Sequence, residues 1–291
     1  MPSPFVGPNK MAADVVALAS AAWERVANSW DYCQVTLAQR VVAGTQPSTP
    51  FATPRDILYG NVAYVVITFI LYRFMASRKE GFNIKPIIAV YNLICVGLAG
   101  AVVYGVVTHK LQHPGSYACN VGNATGPAEQ RLAWYFWLFY IQKYWEFLDT
   151  WFFLLRRSFR QVTFLHVYHH SSISVVVGLI LPHDFAGDVY LPIVLNSFVH
   201  VLMYSHYFIT SVSSIKPWWS QYLTSLQLVQ FVLIAAQCWI SFQAGPTCGM
   251  PDFAKLLIFF YMGTMLILFG KFYIERYLKP KSGGERKAKS A

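Results

Sequence analysis

Three histidines stand close together near the middle of the chain, at His166, His169 and His170. Their spacing of i, i+3 and i+4 places the rings on one side of a helix, so we expect them to share one space. Imidazole can act as a nucleophile, as a general acid or base, or as a metal ligand. The spacing therefore predicts a reaction centre at this cluster.

A group of charged residues precedes the histidines inside an aromatic and aliphatic run. Lys143, Glu146 and Asp149 follow one another at intervals of three residues. On a continuous helix they lie along one flank and can neutralise one another. Ionisable groups are costly inside an apolar segment of membrane length. We interpret all three as catalytic candidates in a polar pocket walled by apolar helices.

Two later apolar segments carry polar stripes at helical spacing. The stripes consist of Asn196, His200, Tyr204, His206 and Tyr207, and of Thr224, Gln227 and Gln230. A single stripe is typical of hydrogen bonding between membrane helices. Stripes on four segments, with a cation and two carboxylates among them, favour an active site. We assign Asn196 and His200 to catalysis, and we expect substrate contacts from Tyr204, His206, Tyr207, Gln227 and Gln230.

The composition is that of a membrane protein. The chain has 291 residues, of which 55% are hydrophobic and 12% charged, and its mean hydropathy is +0.39. These values predict an all-α, multi-pass membrane protein. The net charge of +10 does not indicate nucleic acid, because the basic residues stand in short loops and in the tail, as membrane anchors do.

Seven apolar segments are candidate membrane spans. They cover Ile57–Met75, Pro86–Val107, Leu132–Leu155, His169–Leu181, Val189–Ile209, Tyr222–Phe242 and Ala254–Tyr273. We divide the chain into a luminal segment (1–56), a seven-span domain (57–275) and a basic cytosolic tail (276–291). Within the first segment, residues 11–42 look amphipathic and predict a helix lying on the bilayer.

The basic loops predict a luminal N-terminus and a cytosolic C-terminus. In this orientation Asn123 is a glycosylation acceptor in a luminal loop. Cys119 and Cys248 also become luminal, so an oxidising compartment can join them in a disulfide. Lys287 and Lys289 resemble a dilysine retrieval signal of the endoplasmic reticulum. Cys95 and Cys238 stand in apolar segments and have no basic neighbour, so we expect them to pack within the membrane.

Four stretches carry a family resemblance. They are KYWEFLDT (143–150), HVYHH (166–170), NSFVHVLMYSHYF (196–208) and TSLQLVQ (224–230). In order and spacing they resemble the signature stretches of the ELO family of very-long-chain fatty acid elongases. The resemblance implies an enzyme of the endoplasmic reticulum that condenses malonyl-CoA with a long acyl-CoA, giving 3-oxoacyl-CoA, CoA and CO2. It also implies that six of the seven spans form a barrel around an acyl tunnel closed at the luminal end, with the first span outside.

The resemblance also assigns roles. The middle histidine, His169, is the implied acyl acceptor, with His166 and His170 orienting it or moving protons and His200 completing the site. The alternative is that His169 acts only as a general base. His206 stands where the family usually has a tyrosine-like residue. Cations suited to the phosphates of coenzyme A are Arg156, Arg157 and Lys216, with Arg160 and Lys271.

Residues on either side of the histidine cluster also suggest a substrate class. Gln161 before HVYHH, with Ser171 and Ser172 after it, is similar to the polyunsaturated branch of the family. We expect no cofactor and no metal; the substrates are acyl-CoA and malonyl-CoA. The expected partners are the lipid membrane, the reductase, dehydratase and enoyl reductase of the elongation cycle, and a second copy of the chain in a homodimer. The rival enzyme is a di-iron membrane desaturase or hydroxylase, which needs more histidine boxes than this chain has. A seven-span receptor or transporter is the non-enzymatic rival.

Overall fold

The computed structural model describes residues 13–14, 16–28, 51–120, 126–183, 187–245 and 248–278. Within these ranges the chain forms helices and no β-strand. The helices are α1 (16–28), α2 (Pro54–Ser77), α3 (Lys85–Gln112), α4 (Pro127–Trp145), α5 (Phe147–Leu155), α6 (Phe164–Ile180), α7 (Tyr190–Val212), α8 (Leu223–Gln243) and α9 (Asp252–Tyr273). Single 3-10 turns cover Phe159–Gln161 and Trp218–Gln221, and a π-turn, Ile274–Leu278, follows α9. The all-helical prediction is confirmed.

Five helices in the described part of the chain, α2, α3, α7, α8 and α9, are long and apolar enough to cross a membrane. Helix α6 is apolar but has only 17 residues. The chain is therefore an all-helical membrane protein with several apolar helices.

The predicted third span is not one continuous helix. Helix α4 ends at Trp145 and α5 begins at Phe147, so Glu146 stands at a break. The Glu146 N–H still bonds to the Gln142 carbonyl, but the Asp149 N–H bonds back to the Glu146 carbonyl at 3.1 Å. This tighter i+3 turn interrupts the regular α-helix between α4 and α5.

The histidine cluster lies wholly within helix α6, close to its N-terminus. Thr163 is the N-cap of α6, and its hydroxyl accepts the His166 backbone N–H at 3.2 Å. A threonine in this position satisfies one of the free N–H groups of the first turn. Helix α6 consequently begins at Phe164, before the start that we predicted at His169. All three histidines belong to its first two turns.

Six helices follow one another as packing neighbours. Helix α3 packs against α4 and α7, α8 packs against α7 and α9, and α6 packs against α4 and α9. The shared core includes Phe136, Tyr140, Ile193, Ile234 and Met265. Helix α2 instead lies against α5 and α6. It buries only Ile57, Tyr64 and Met75, and the rest of its surface is exposed or half-buried.

The two ends of the bundle differ. At one end a disulfide joins Cys119 to Cys248, with a Cα–Cα distance of 4.3 Å. Beside it the buried Asp188 carboxylate accepts the backbone N–H groups of Cys119 and Asn120, both at 2.7 Å, and the Ser241 hydroxyl at 2.5 Å. We call this the disulfide end. The opposite end, where α3 begins and α5 finishes, carries Lys85 and Arg156, and we call it the basic end.

Helix α1 is docked at the disulfide end. The Arg25 guanidinium donates to the Asp252 carboxylate at 2.9 Å and to the Phe242 carbonyl at 3.0 Å. Asp252 also receives the Lys255 ammonium at 3.0 Å. Residues 29–42 of the predicted surface helix, Asn123, Lys287 and Lys289 lie outside the described residues. The cysteines expected to pack in the membrane, Cys95 and Cys238, are free and buried.

Candidate active site

A buried carboxylate, Glu146, is the centre of the polar network. The Lys143 ammonium donates to its two oxygens at 3.1 and 3.2 Å, Gln142 Nε2 donates at 3.0 Å, and His200 Nδ1 lies 2.9 Å away. Glu146 is 0% exposed and Lys143 is 1% exposed. A charge this far from water requires such compensation. The network includes Gln142, which the sequence pattern did not indicate.

Lys143 connects this ion pair to α7. Its ammonium also donates to Asn196 Oδ1 at 3.0 Å. Because the amide oxygen of Asn196 is engaged, its NH2 group is left as the donor. His200 donates its Nδ1 proton to the Glu146 carboxylate, which leaves Nε2 as the accepting nitrogen. The network thus fixes the orientation of two polar groups on α7.

Asp149 belongs to a different contact. The Tyr204 hydroxyl donates to its carboxylate at 2.6 Å. That Asp149 lies along one flank with Lys143 and Glu146 stays a prediction. Within the described residues Lys143 forms its ion pair with Glu146. Tyr204 therefore acts on Asp149 as a hydrogen-bond donor.

The three histidine rings lie close together. The centroids of His166 and His170 are 4.3 Å apart, and those of His169 and His170 are 5.3 Å apart. His166 Nε2 lies 2.8 Å from the Thr150 hydroxyl. The buried His170 Nδ1 has no hydrogen-bond partner in the described part of the chain. In those same ranges no three His, Cys, Asp or Glu side chains are grouped so that they could hold a metal ion.

An apolar cavity of about 50 Å³ begins beside these residues. His169, Asn196 and Gln230 line it together with aliphatic and aromatic side chains. The apolar lining residues include Phe139, Ile173, Val177, Ile180, Leu181, Val189, Ile193, Ile234 and Ile258. Because Leu181 follows α6 and Val189 precedes α7, the cavity extends to the disulfide end.

A polar cavity of about 340 Å³ lies at the basic end. Asp149, Arg156 and Tyr207 line it, as does Gln161. The other lining residues, which the sequence did not single out for this site, include Lys85, Asn92, Phe152, Thr210 and Ser211. The polar cavity reaches Asp149 on α5, one turn beyond the buried Glu146. The network therefore stands between two cavities of opposite character.

Five predicted substrate-binding residues line neither of these cavities: Tyr204, His206, Gln227, Arg157 and Lys216. His206 packs its ring against Tyr207, with centroids 5.6 Å apart. The Arg157 guanidinium lies 5.7 Å from the Phe159 ring centroid. Lys216 is exposed. Helical spacing suggested Tyr204, His206 and Gln227, and positive charge suggested Arg157 and Lys216.

Comparison with known proteins relates the whole bundle to one family. The profile described as ELO, the GNS1/SUR4 family, matches residues 49–285. A very long chain fatty acid elongase 5 from Tachysurus fulvidraco is 34% identical over 230 residues, covering 78% of this chain and 76% of that protein. The human elongase 5 is 34% identical over 231 residues, covering 78% and 75%. An elongase 2 from Mus musculus is 34% identical over 221 residues, covering 75% of each.

The matched region contains every helix from α2 to α9, both cavities and the buried network. The relatives are matched over three quarters of their own length. The chain therefore belongs to the ELO, GNS1/SUR4, family.

Proposed function

We propose that the chain is a fatty acid elongase that condenses malonyl-CoA with a long-chain acyl-CoA. The products are a 3-oxoacyl-CoA two carbons longer, free CoA and CO2. One observation carries this proposal: His169 and Asn196 line the same apolar cavity, whose wall also includes Leu181 and Val189 at the disulfide end. A thioester held beside His169 would have its acyl chain in that cavity.

Burial of the acyl chain supplies binding energy. Each methylene transferred from water contributes about 0.8 kcal/mol. The aliphatic wall offers little to a charged group, so the CoA portion must extend in the other direction. The polar cavity, with Lys85 and Arg156 on its wall, suits the phosphates of coenzyme A.

The covalent route begins with attack by a neutral ring nitrogen of His169 on the thioester carbonyl. The C–S bond breaks, CoA leaves as a thiolate that takes up the imidazole proton, and an N–C bond to the acyl group forms. The His170 ring lies beside His169, and the His166 ring lies beside His170, so we assign to these two residues the roles of orienting His169 or moving that proton. In the alternative route His169 acts only as a base and no acyl-enzyme forms.

Condensation follows when malonyl-CoA loses CO2. The resulting enolate carbon attacks the acyl carbon, the N–C bond breaks, and the departing imidazole nitrogen takes up one proton from the medium, which regenerates neutral His169. The enolate oxygen needs a donor that is already oriented. Asn196 meets this requirement, because Lys143 engages its amide oxygen at 3.0 Å and leaves the NH2 group as the donor. His200 Nε2 is a second polar group of the same network.

The packing order supports a barrel made of α3, α4, α6, α7, α8 and α9, with α2 outside. With α4 and α5 together counted as one span, the chain crosses the membrane seven times. We retain a luminal segment 1–56, a seven-span domain 57–275 and a cytosolic tail 276–291 in the endoplasmic reticulum membrane. The disulfide end is then luminal and the basic end cytosolic.

Substrate branch and partners are further parts of the proposal. Gln161, the residue similar to the polyunsaturated branch, lines the polar cavity. We therefore propose long polyunsaturated acyl-CoAs as preferred substrates. The reaction as written needs no metal or cofactor beyond its two CoA substrates. The 3-oxoacyl-CoA product must be reduced, dehydrated and reduced again, which implies the three other enzymes of the elongation cycle as partners. We also propose that the protein forms a homodimer.

Expression in a host of known lipid composition tests the function. Total fatty acids are profiled, and membranes are given acyl-CoA with labelled malonyl-CoA. We expect fatty acids two carbons longer and a labelled 3-oxoacyl-CoA, which His169→Ala abolishes and His113→Ala, a change at an exposed histidine, preserves. An unchanged profile with no condensation product would refute the proposal. New double bonds or hydroxyl groups at constant chain length would favour the desaturase alternative.

A further inference from the structure

A chain of hydrogen bonds crosses from the outer helix α2 to the histidine cluster. The Tyr64 hydroxyl lies 2.9 Å from the Thr150 hydroxyl, and Thr150 Oγ1 lies 2.8 Å from His166 Nε2. Tyr64 is 1% exposed and Thr150 is 0% exposed. Water therefore does not replace either contact. Helix α2, whose residues line neither cavity, nevertheless reaches the site through Tyr64.

The chain of hydrogen bonds constrains the His166 ring in either arrangement of the hydroxyl and imidazole protons. If Thr150 donates to His166 Nε2, its oxygen remains free to accept the Tyr64 proton. If His166 Nε2–H donates instead, the Thr150 proton goes to Tyr64. In both cases Nε2 is engaged and the ring cannot rotate freely. The Tyr64 ring is itself held by stacking on Phe147, with centroids 4.2 Å apart.

We propose that Tyr64 is a positioning residue for the reaction. Through Thr150 it fixes the His166 ring, which stands 4.3 Å from the His170 ring and thereby determines how the cluster surrounds His169. This inference rests on the proposed function, and it assigns a catalytic consequence to a helix outside the cavity walls. Tyr64 itself touches no substrate.

A purely structural explanation is that the hydroxyl only attaches α2 to the bundle. A second hydrogen bond between α2 and α6 provides a matched control for that explanation. The Ser174 hydroxyl on α6 donates to Asn61 Oδ1 at 3.1 Å, one turn before Tyr64 on the same helix. Ser174 also donates to the Ser171 carbonyl at 2.8 Å. Asn61→Ala therefore removes a contact between α2 and α6 without involving the histidines.

The experiment compares Tyr64→Phe, Thr150→Val, their double variant, Thr150→Ser and Asn61→Ala in the full chain. CoA release from acyl-CoA alone, complete condensation and thermal stability are measured for each. Tyr64→Phe keeps the ring stacking and loses one hydrogen bond, so we expect kcat to fall about fivefold with KM unchanged. Thr150→Val should lower kcat at least as much, and Thr150→Ser should retain most of it. Asn61→Ala should leave kcat unchanged.

The decisive readout is the double variant. If Tyr64 acts through Thr150, adding Tyr64→Phe to Thr150→Val causes no further loss of kcat. Multiplied losses, or an equal loss of kcat in Asn61→Ala, would show that the hydroxyl only attaches the helix and would overturn the inference. A normal kcat in Tyr64→Phe would do the same while leaving the elongase proposal intact. Failure of the unchanged chain to condense its substrates would instead remove the proposed function and this inference with it.

Discussion

Replacement of Lys143 by methionine should destabilise the protein strongly. Methionine has a similar length but carries no charge and no donor. Glu146, which is 0% exposed, would keep Gln142 Nε2 at 3.0 Å and His200 Nδ1 at 2.9 Å. It would lose the ammonium that now contacts both of its oxygens. The variant therefore leaves a buried carboxylate without its cation.

The expected magnitude follows from the burial of both partners. Removal of one member of a buried ion pair costs about 3–5 kcal/mol. A domain of 150–250 residues loses about 2–4 °C in Tm for each kcal/mol. We therefore expect Lys143→Met to melt about 6–20 °C below the unchanged protein. Adding Glu146→Gln removes the unpaired charge and should restore most of the loss.

A second buried lysine provides the matched comparison. Lys255 is 0% exposed and donates to Asp252 at 3.0 Å. Asp252 also receives Arg25 at 2.9 Å, so Lys255→Met leaves that carboxylate with a cation. We expect this variant to lose less stability than Lys143→Met.

Thermal unfolding of the detergent-solubilised protein, scanned at one fixed rate, measures these differences. The double variant Lys143→Met/Glu146→Gln should recover stability but not activity, because the Asn196 amide is no longer anchored. A Tm of Lys143→Met equal to that of the unchanged protein would refute the reasoning. So would a double variant that melts no higher than the single one.

Three further predictions concern the covalent framework, the topology and the substrate. Peptide mapping without reduction should recover Cys119 linked to Cys248, and the Cys119→Ser variant should lose up to roughly 5 kcal/mol for a loop of this length; two free thiols would contradict this. A reporter fused after Ala291 should be cytosolic and Asn123, when modified, should carry a glycan, whereas a luminal C-terminus would reverse the assigned orientation. Long polyunsaturated acyl-CoAs should be extended faster than saturated ones, and equal rates would remove the substrate branch but not the elongase proposal.

Local patterns in the sequence predicted much of the fold and part of the site. Apolar length indicated the long helices, and an interval of three residues indicated the contact between Lys143 and Glu146. Both features depend on neighbours along the chain. The stripe containing Asn196 and His200 likewise predicted residues that share one face of α7 and reach one network.

Contacts between distant helices could not be read from the same patterns. The break between α4 and α5 at Glu146 depends on hydrogen bonds within one turn, which the spacing of the charged residues does not indicate. The contact of Thr150 with Tyr64 requires knowledge of how α2 packs. Arg157 and Lys216 illustrate the converse, because basic residues commonly flank membrane spans whether or not they bind substrate.

Acylation of His169 tests the central claim most directly. The purified protein is given acyl-CoA without malonyl-CoA, and the released CoA is quantified. The masses of peptides that contain the histidine cluster are measured by mass spectrometry. We predict release of CoA and addition of the acyl mass to His169, with both lost in His169→Ala and both retained in His113→Ala. Complete condensation in the presence of malonyl-CoA, with no CoA released before its addition, would contradict the covalent route.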